Sequence, residues 1–134
     1  MARQNTVIDA SIIAKWFVDE EGTEESLKLR TDHIEGRILI AVPELLFLEV
    51  LNALRYKGAT IQKLSEANNA LWDTQLKVEK TNKFLLEKAN ELAIKHNLSL
   101  YDAIYLALAI INCSPLITAD KELIKANNTL SLTR

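Results

Sequence analysis

The sequence predicts an α/β fold in which a parallel sheet carries helices on both faces. Two observations predict it. Short runs rich in branched apolar residues alternate along the chain with longer helical stretches, and strands separated by helices pair in parallel through crossover connections. The chain has 134 residues, 49% hydrophobic and 25% charged, the size and balance of one domain, spanning 1–134, with a core of its own. No internal repeat, low-complexity tract or Pro/Ser-rich linker divides it.

Each element has a local reason. Residues 6–8 (Thr-Val-Ile) read as a strand, and 11–18 as a helical stretch that ends in the polar break 19–23. A helix follows over 24–35, with Thr23 as its cap and Gly36 as its stop. Residues 37–42 place Ile38, Ile40 and Val42 in a strand. Pro43 opens a long helix, since a first-turn residue needs no amide partner, and Gly58 terminates it. Residues 60–74 form the second arm of a helical hairpin, and 75–79 a weak strand. Asn82 caps a helix over 83–96, and 100–113 is an almost wholly apolar helix. Residues 115–118 read as a short buried strand, 120–127 as a short helix and 129–133 as a last strand.

Composition excludes several functions. Sixteen basic against eighteen acidic residues give a charge of −2, which is not a nucleic-acid coat. Gly22, Gly36 and Gly58 are too far apart for a phosphate-binding glycine loop, and there is no Gly-x-Ser-x-Gly elbow. His33 and His96 lie far apart beside a single cysteine, so zinc is not expected. Cys113 reads as a buried, inert thiol in a reducing compartment. The longest apolar run, 103–111, is too short to cross a membrane, and Asp9 interrupts any leader-like run. A cytoplasmic location follows as the expectation.

Four acids stand in apolar surroundings, where a carboxylate costs several kcal/mol unless compensated. Asp9 follows Val7-Ile8, Glu49 sits inside Leu45-Leu46-Phe47-Leu48-Glu49-Val50-Leu51, Asp102 opens the apolar helix, and Asp120 follows Leu116-Ile117-Thr118-Ala119. Helix capping is an alternative for three of them: Asp9 and Asp120 as N-caps, Asp102 behind a Ser99 cap. It does not serve Glu49, which shares a mid-helix face with Leu45, Leu48 and Asn52. An interior Glu paired with a backbone or Arg group is the alternative there. In open α/β sheets ligands bind beyond the carboxyl ends of strands, where Asp9 and Asp120 lie. Acids packed together repel; a hard cation held by oxygen relieves the repulsion, and Mg²⁺ or Mn²⁺ so held serves phosphodiester hydrolysis.

Four motifs carry a resemblance. They are Val7-Ile8-Asp9-Ala10-Ser11 with Ala14-Lys15-Trp16-Phe17, Pro43-Glu44-Leu45 leading to Glu49-Val50-Leu51-Asn52-Ala53-Leu54, Leu98-Ser99-Leu100-Tyr101-Asp102-Ala103 with Tyr105-Leu106-Ala107-Leu108-Ala109, and Leu116-Ile117-Thr118-Ala119-Asp120. In this order they resemble a PIN-domain ribonuclease, in particular the VapC toxins of toxin–antitoxin pairs, over essentially the whole chain. The resemblance implies a three-layer fold with a five-stranded parallel sheet ordered 3-2-1-4-5. It implies Mg²⁺- or Mn²⁺-dependent RNA cleavage leaving 5′-phosphate and 3′-hydroxyl ends, a homodimer, and control by a VapB-type antitoxin.

Carried over by position, Asp9 and Asp102 would be the principal metal ligands. Glu49 would ligate through water or orient the attacking water, and Asp120 would complete the pocket. Ser11, Asn52 and Thr118 would hold the carboxylates in place. The sequence departs from the family after the fourth acid, where Lys121-Glu122-Leu123 replaces a further polar residue and an aromatic. Lys15, Arg55, Lys57 and Lys121 are candidate phosphate contacts, with ordinary surface charge as the alternative. Trp16 and Phe17 read as core or dimer-interface groups, and Tyr56 and Trp72 as parts of an antitoxin groove. A PIN-like module that binds RNA or protein without cleaving is the second reading; intact acids at all four positions argue against it. A phosphoacceptor receiver is disfavoured because Asp9-Ala10 is not an acidic pair.

Overall fold

The computed structural model describes residues 3–133, with side chains as far as Asn128. Four parallel strands form one sheet among the described residues, in the order β3-β2-β1-β4: β1 (Gln4–Ile8), β2 (Ile38–Pro43), β3 (Lys77–Glu79) and β4 (Leu116–Ile117). Between them run α1 (Ala10–Ile13), α2 (Thr23–Ile34), α3 (Leu45–Tyr56), α4 (Ile61–Asp73), α5 (Lys83–His96) and α6 (Leu100–Ile111); α7 (Lys121–Thr133) ends the chain. The α/β class with a parallel sheet flanked by helices is as expected.

The two central strands are the most deeply buried. Val7 and Ile8 of β1 and Ile40, Ala41 and Val42 of β2 have no exposed surface. Helix α6 packs on β1, β2 and β4. Its run from Ala103 to Ala109 is buried throughout; a single fully buried side chain such as Leu106 is worth ~1.5–3 kcal/mol. His33 ties α2 to strand β2 and to the loop between α4 and β3. Its Nδ1 accepts the Ile40 amide at 3.0 Å, while Nε2 lies 3.0 and 3.1 Å from the Thr74 and Gln75 carbonyls. Carbonyls only accept, so Nε2 carries the proton.

Register positions the site. Ile8 of β1 lies opposite Ile117 of β4. The next residues along the two strands, Asp9 and Thr118, therefore emerge side by side at the carboxyl edge of the sheet.

Several expectations are corrected. Residues 129–133 are not a fifth strand: although Thr and Leu or Ser alternate there, they continue α7. Neither Gly nor Pro interrupts a helix nucleated at Asp120, and extension costs less than a new start. Pro43 ends β2 rather than opening a helix, and α3 starts after Glu44. The 11–18 stretch splits into α1 and a 3-10 turn, Ala14–Trp16. Gly22, with φ of 88°, stands at the start of α2 in place of Thr23. Cys113 is exposed, not buried. It takes φ of 51° just past α6, which turns its side chain away from the core that the helix face serves. No described helix is long and apolar enough to cross a membrane.

Candidate active site

Asp9 is almost wholly buried, at 4% exposure, and its carboxylate is held from both sides. Ser11 Oγ donates to Oδ1 and Thr118 Oγ1 donates to Oδ2, each at 2.6 Å. Each hydroxyl in turn accepts a backbone amide from the loop after β4: Ala119 N to Ser11 at 3.0 Å and Asp120 N to Thr118 at 2.9 Å. Two relays thus run from that loop to one carboxylate. Asp9 stands at the N-cap position of α1, and the Ile12 amide also favours its carboxylate. Asp120 caps, accepting the Leu123 amide at 3.0 Å.

Ser99 caps α6 by accepting the Asp102 amide at 3.1 Å, which places Asp102 in the first turn, half-buried. Glu49 is also half-buried, on α3. Its Oε1 accepts a 2.6 Å hydrogen bond from the Tyr105 hydroxyl. Tyr105, 1% exposed, stands in the third motif but has no site role in the sequence reading. The available signal was its place three residues beyond Asp102, which puts both on one helix face.

The acids act on one another. Burial raises the pKa of Asp9, the Ser11 and Thr118 hydroxyls oppose that, and the charge of Asp120 adds to it. Burial raises Glu49, Tyr105 opposes, and the charges of Asp102 and Asp9 raise it further. Burial, then the charge of Asp120, raises Asp102, with Ser99 opposing. Burial and the Glu49 carboxylate push the Tyr105 phenol far above its usual range, so it stays a donor. Among the described residues none of the four acids forms an ion pair with Lys or Arg.

This donor set suits a hard cation: all oxygen, anionic, held by second partners and lacking a counter-ion. Among the described residues no three His, Cys, Asp or Glu side chains converge closely enough to hold an ion together. Mg²⁺ does not demand that, because it binds through one or two carboxylates and keeps several waters. The residues present therefore fit such an ion.

Residues 6–128 match the PIN domain family. The chain belongs to that family. This PIN domain is 33% identical over 123 residues to Ribonuclease VapC3 of Pyrobaculum aerophilum, covering 87% of this chain and 90% of that protein. Among solved structures it superposes on Mycobacterium tuberculosis VapC20, described as a Sarcin-Ricin loop cleaving toxin, with TM-score 0.74 and 17% identity over 90% of this chain and 94% of that one. PAE2754 from Pyrobaculum aerophilum gives 0.70 and 22% over 99% and 90%. A toxin–antitoxin complex from Klebsiella pneumoniae gives 0.65 and 20% over 86% of each. At these identities the structures speak for the fold, and the VapC-type resemblance read from the motifs is borne out.

The other expected residues of this PIN domain divide. Ser11 and Thr118 touch Asp9. Among the described residues Asn52 hydrogen-bonds to no carboxylate and makes no side-chain hydrogen bond: it is exposed, because α3 turns it outward from the Glu49–Tyr105 contact. Lys15 and Lys57 are both spent on Glu20, at 3.3 and 2.8 Å. Arg55 and Lys121 are exposed. Trp16 is buried, donating from Nε1 to the Ser26 carbonyl at 2.9 Å. Trp72 stacks on Phe47 with ring centres 4.1 Å apart, and Tyr56 is 82% exposed.

Proposed function

We propose that this PIN domain is a Mg²⁺- or Mn²⁺-dependent endoribonuclease, the toxin of a toxin–antitoxin pair. The observation that carries the reading is a cluster of four acids from four different segments, Asp9, Glu49, Asp102 and Asp120, none of which pairs with Lys or Arg among the described residues. Structural carboxylates are paired; a site kept anionic at a cost in repulsion awaits a cation.

Asp9 and Asp102 are the residues to hold the ion, with Asp120 completing the anionic pocket. When bound, the ion supplies Lewis-acid polarisation of a phosphate oxygen and lowers the pKa of a coordinated water. Ser11 and Thr118 keep Asp9 in one rotamer, so the carboxylate is already placed when RNA arrives. Glu49 has one oxygen committed to Tyr105; the other, Oε2, is available to orient the attacking water and accept its proton. Arg55 and Lys121 are the better candidates for phosphate contacts, since Lys15 and Lys57 already share Glu20.

The reading extends to a VapB-type antitoxin, a homodimer and a cytoplasmic location. The fold's likeness to the toxin–antitoxin complex from Klebsiella pneumoniae supports the first of these. The test is incubation of the purified chain, freed of any partner, with total cellular RNA, with and without Mg²⁺ or Mn²⁺. Discrete fragments with 5′-phosphate ends that require the ion and vanish in an Asp9→Ala/Asp102→Ala control are expected. Metal-independent cleavage, or cleavage that survives in the control, contradicts the proposal.

A further inference from the structure

Beside the acids lies a feature that ion binding and hydrolysis do not use. A cavity of about 370 Å³ is lined by Leu45, Leu48, Glu49, Asn52 and Tyr101. Its volume falls in the ~300–1,000 Å³ range of small-molecule sites. Two of its apolar walls are costly ones to leave in water: Leu48 is 68% exposed and Tyr101 62% exposed. Scattered exposed apolar residues are commonplace. Here they share one cavity with a candidate catalytic carboxylate, and Tyr101 immediately precedes Asp102 in the chain.

Asn52 supplies the second, independent observation. Its amide carries two donors and an acceptor, yet it hydrogen-bonds to nothing among the described residues and stands one turn from Glu49. A side chain that only positioned a carboxylate would touch one. An aromatic face, an aliphatic floor and one unspent amide form the usual equipment for an unpaired nucleobase, which stacks on the aromatic ring and presents a hydrogen-bonding edge to the amide.

Resting on the ribonuclease reading, we propose that this cavity is a nucleobase pocket, taking the unstacked base of a nucleotide beside the scissile phosphate of single-stranded RNA. Tyr101 is the stacking platform and Asn52 the group that reads the base edge. Both are recognition residues, and neither holds the cation. The pocket therefore works without an ion, and its occupancy can be measured with cleavage silenced.

The experiment uses the full chain carrying Asp9→Asn, in chelator, with labelled octanucleotides A8, C8 and U8 and an abasic octamer, read by fluorescence anisotropy. Tyr101→Ala is expected to weaken binding of the base-bearing octamers about thirtyfold, the mid-range of a stacking contact, and to leave the abasic octamer unchanged. Tyr101→Phe restores binding to within about twofold, because the ring remains. Asn52→Ala compresses the differences in affinity among A8, C8 and U8. Both side chains are exposed, and thermal melts of each variant verify that it folds.

Equal weakening of abasic and base-bearing octamers overturns the pocket and makes Tyr101 a backbone contact. Unchanged affinity for every octamer also overturns it, and leaves the rim to a protein partner. Failure of the ribonuclease reading looks different: the parent chain then binds no octamer and cleaves no RNA, so the pocket loses its ligand with it.

Discussion

Replacing Thr118 by Val tests the relay that holds Asp9. Valine keeps the shape of threonine but removes the hydroxyl, and with it the 2.6 Å bond to Oδ2 and the acceptor for the Asp120 amide. A hydrogen bond to a charged group is worth ~1.5–3 kcal/mol, and a buried carboxylate that loses one pays its desolvation directly. The Asp120 amide is only part-buried, so water replaces the lost acceptor at little cost. The expected loss in the metal-free protein at pH 7 is thus about 2 kcal/mol, or roughly 5–10 °C in Tm for a chain of this size. Thr118→Ser retains the donor and should lose under ~1 kcal/mol.

The sign with pH follows from Asp9. Its folded pKa is already raised by burial, and removal of a donor to the anion raises it again. The penalty is therefore full where Asp9 is ionised in both proteins and shrinks as pH falls through the folded values toward 3.8, the ordinary value of the carboxyl. Urea unfolding of the three proteins across that range is the assay. A Thr118→Val protein within ~0.5 kcal/mol of the parent at pH 7, or a penalty that is independent of pH, would refute the reasoning.

Further predictions concern the same acids and one helix end. Glu49→Gln should lower cleavage by roughly 10²–10⁴-fold if Glu49 takes the proton of the attacking water. It should also raise metal-free stability at neutral pH, because it removes a charge that Asp102 and Asp9 oppose; a clear loss of stability would point to a structural role instead. Relative to an Asp9→Asn/Glu49→Gln/Asp102→Asn variant, which keeps the opposite contributions of Glu20 and Asp32, the metal-free parent should lose stability as pH rises from below 3.8 through the raised folded pKa values of Asp9, Glu49 and Asp102. Acids with raised pKa values bind more protons folded than unfolded, so that slope is negative; chemical denaturation at a series of pH values reads it. Cys113→Gly should stabilise the chain by ~0.5 kcal/mol, since an exposed side chain is held at φ of 51° where α6 ends with the Ser114 amide on the Ala109 carbonyl. A lower Tm for that variant would show that the thiol makes a contact of value.

Much of this architecture is legible in the sequence because its causes are local. Val7-Ile8 and Leu116-Ile117 announce buried strands, and each is followed within three residues by an acid. The Ser99 cap that places Asp102 is a spacing rule, and the structure keeps it. What was not legible depends on contacts between distant segments. Nothing local to Tyr105 says that its hydroxyl meets Glu49, 56 residues away. The motifs name Ser11 and Thr118 as supports of the carboxylates, but that Thr118, 109 residues from Asp9, meets that acid follows only from the register of β1 on β4. Asn52 shares a helical face with Glu49 by spacing, but one turn of α3 separates a carboxylate facing Tyr105 from an amide facing solvent. The alternation at 129–133 misleads because period two describes a strand only where a neighbouring strand receives it.

The central claim is that these acids hold a divalent cation, and calorimetric titration of Mn²⁺ into the metal-free chain tests it most directly. The account predicts saturable binding by the parent chain, loss of that binding in Asp9→Asn/Asp102→Asn, and a folded double variant at least as stable as the parent at pH 7. A parent chain that binds no Mn²⁺, or a double variant that binds it equally well, would contradict the account.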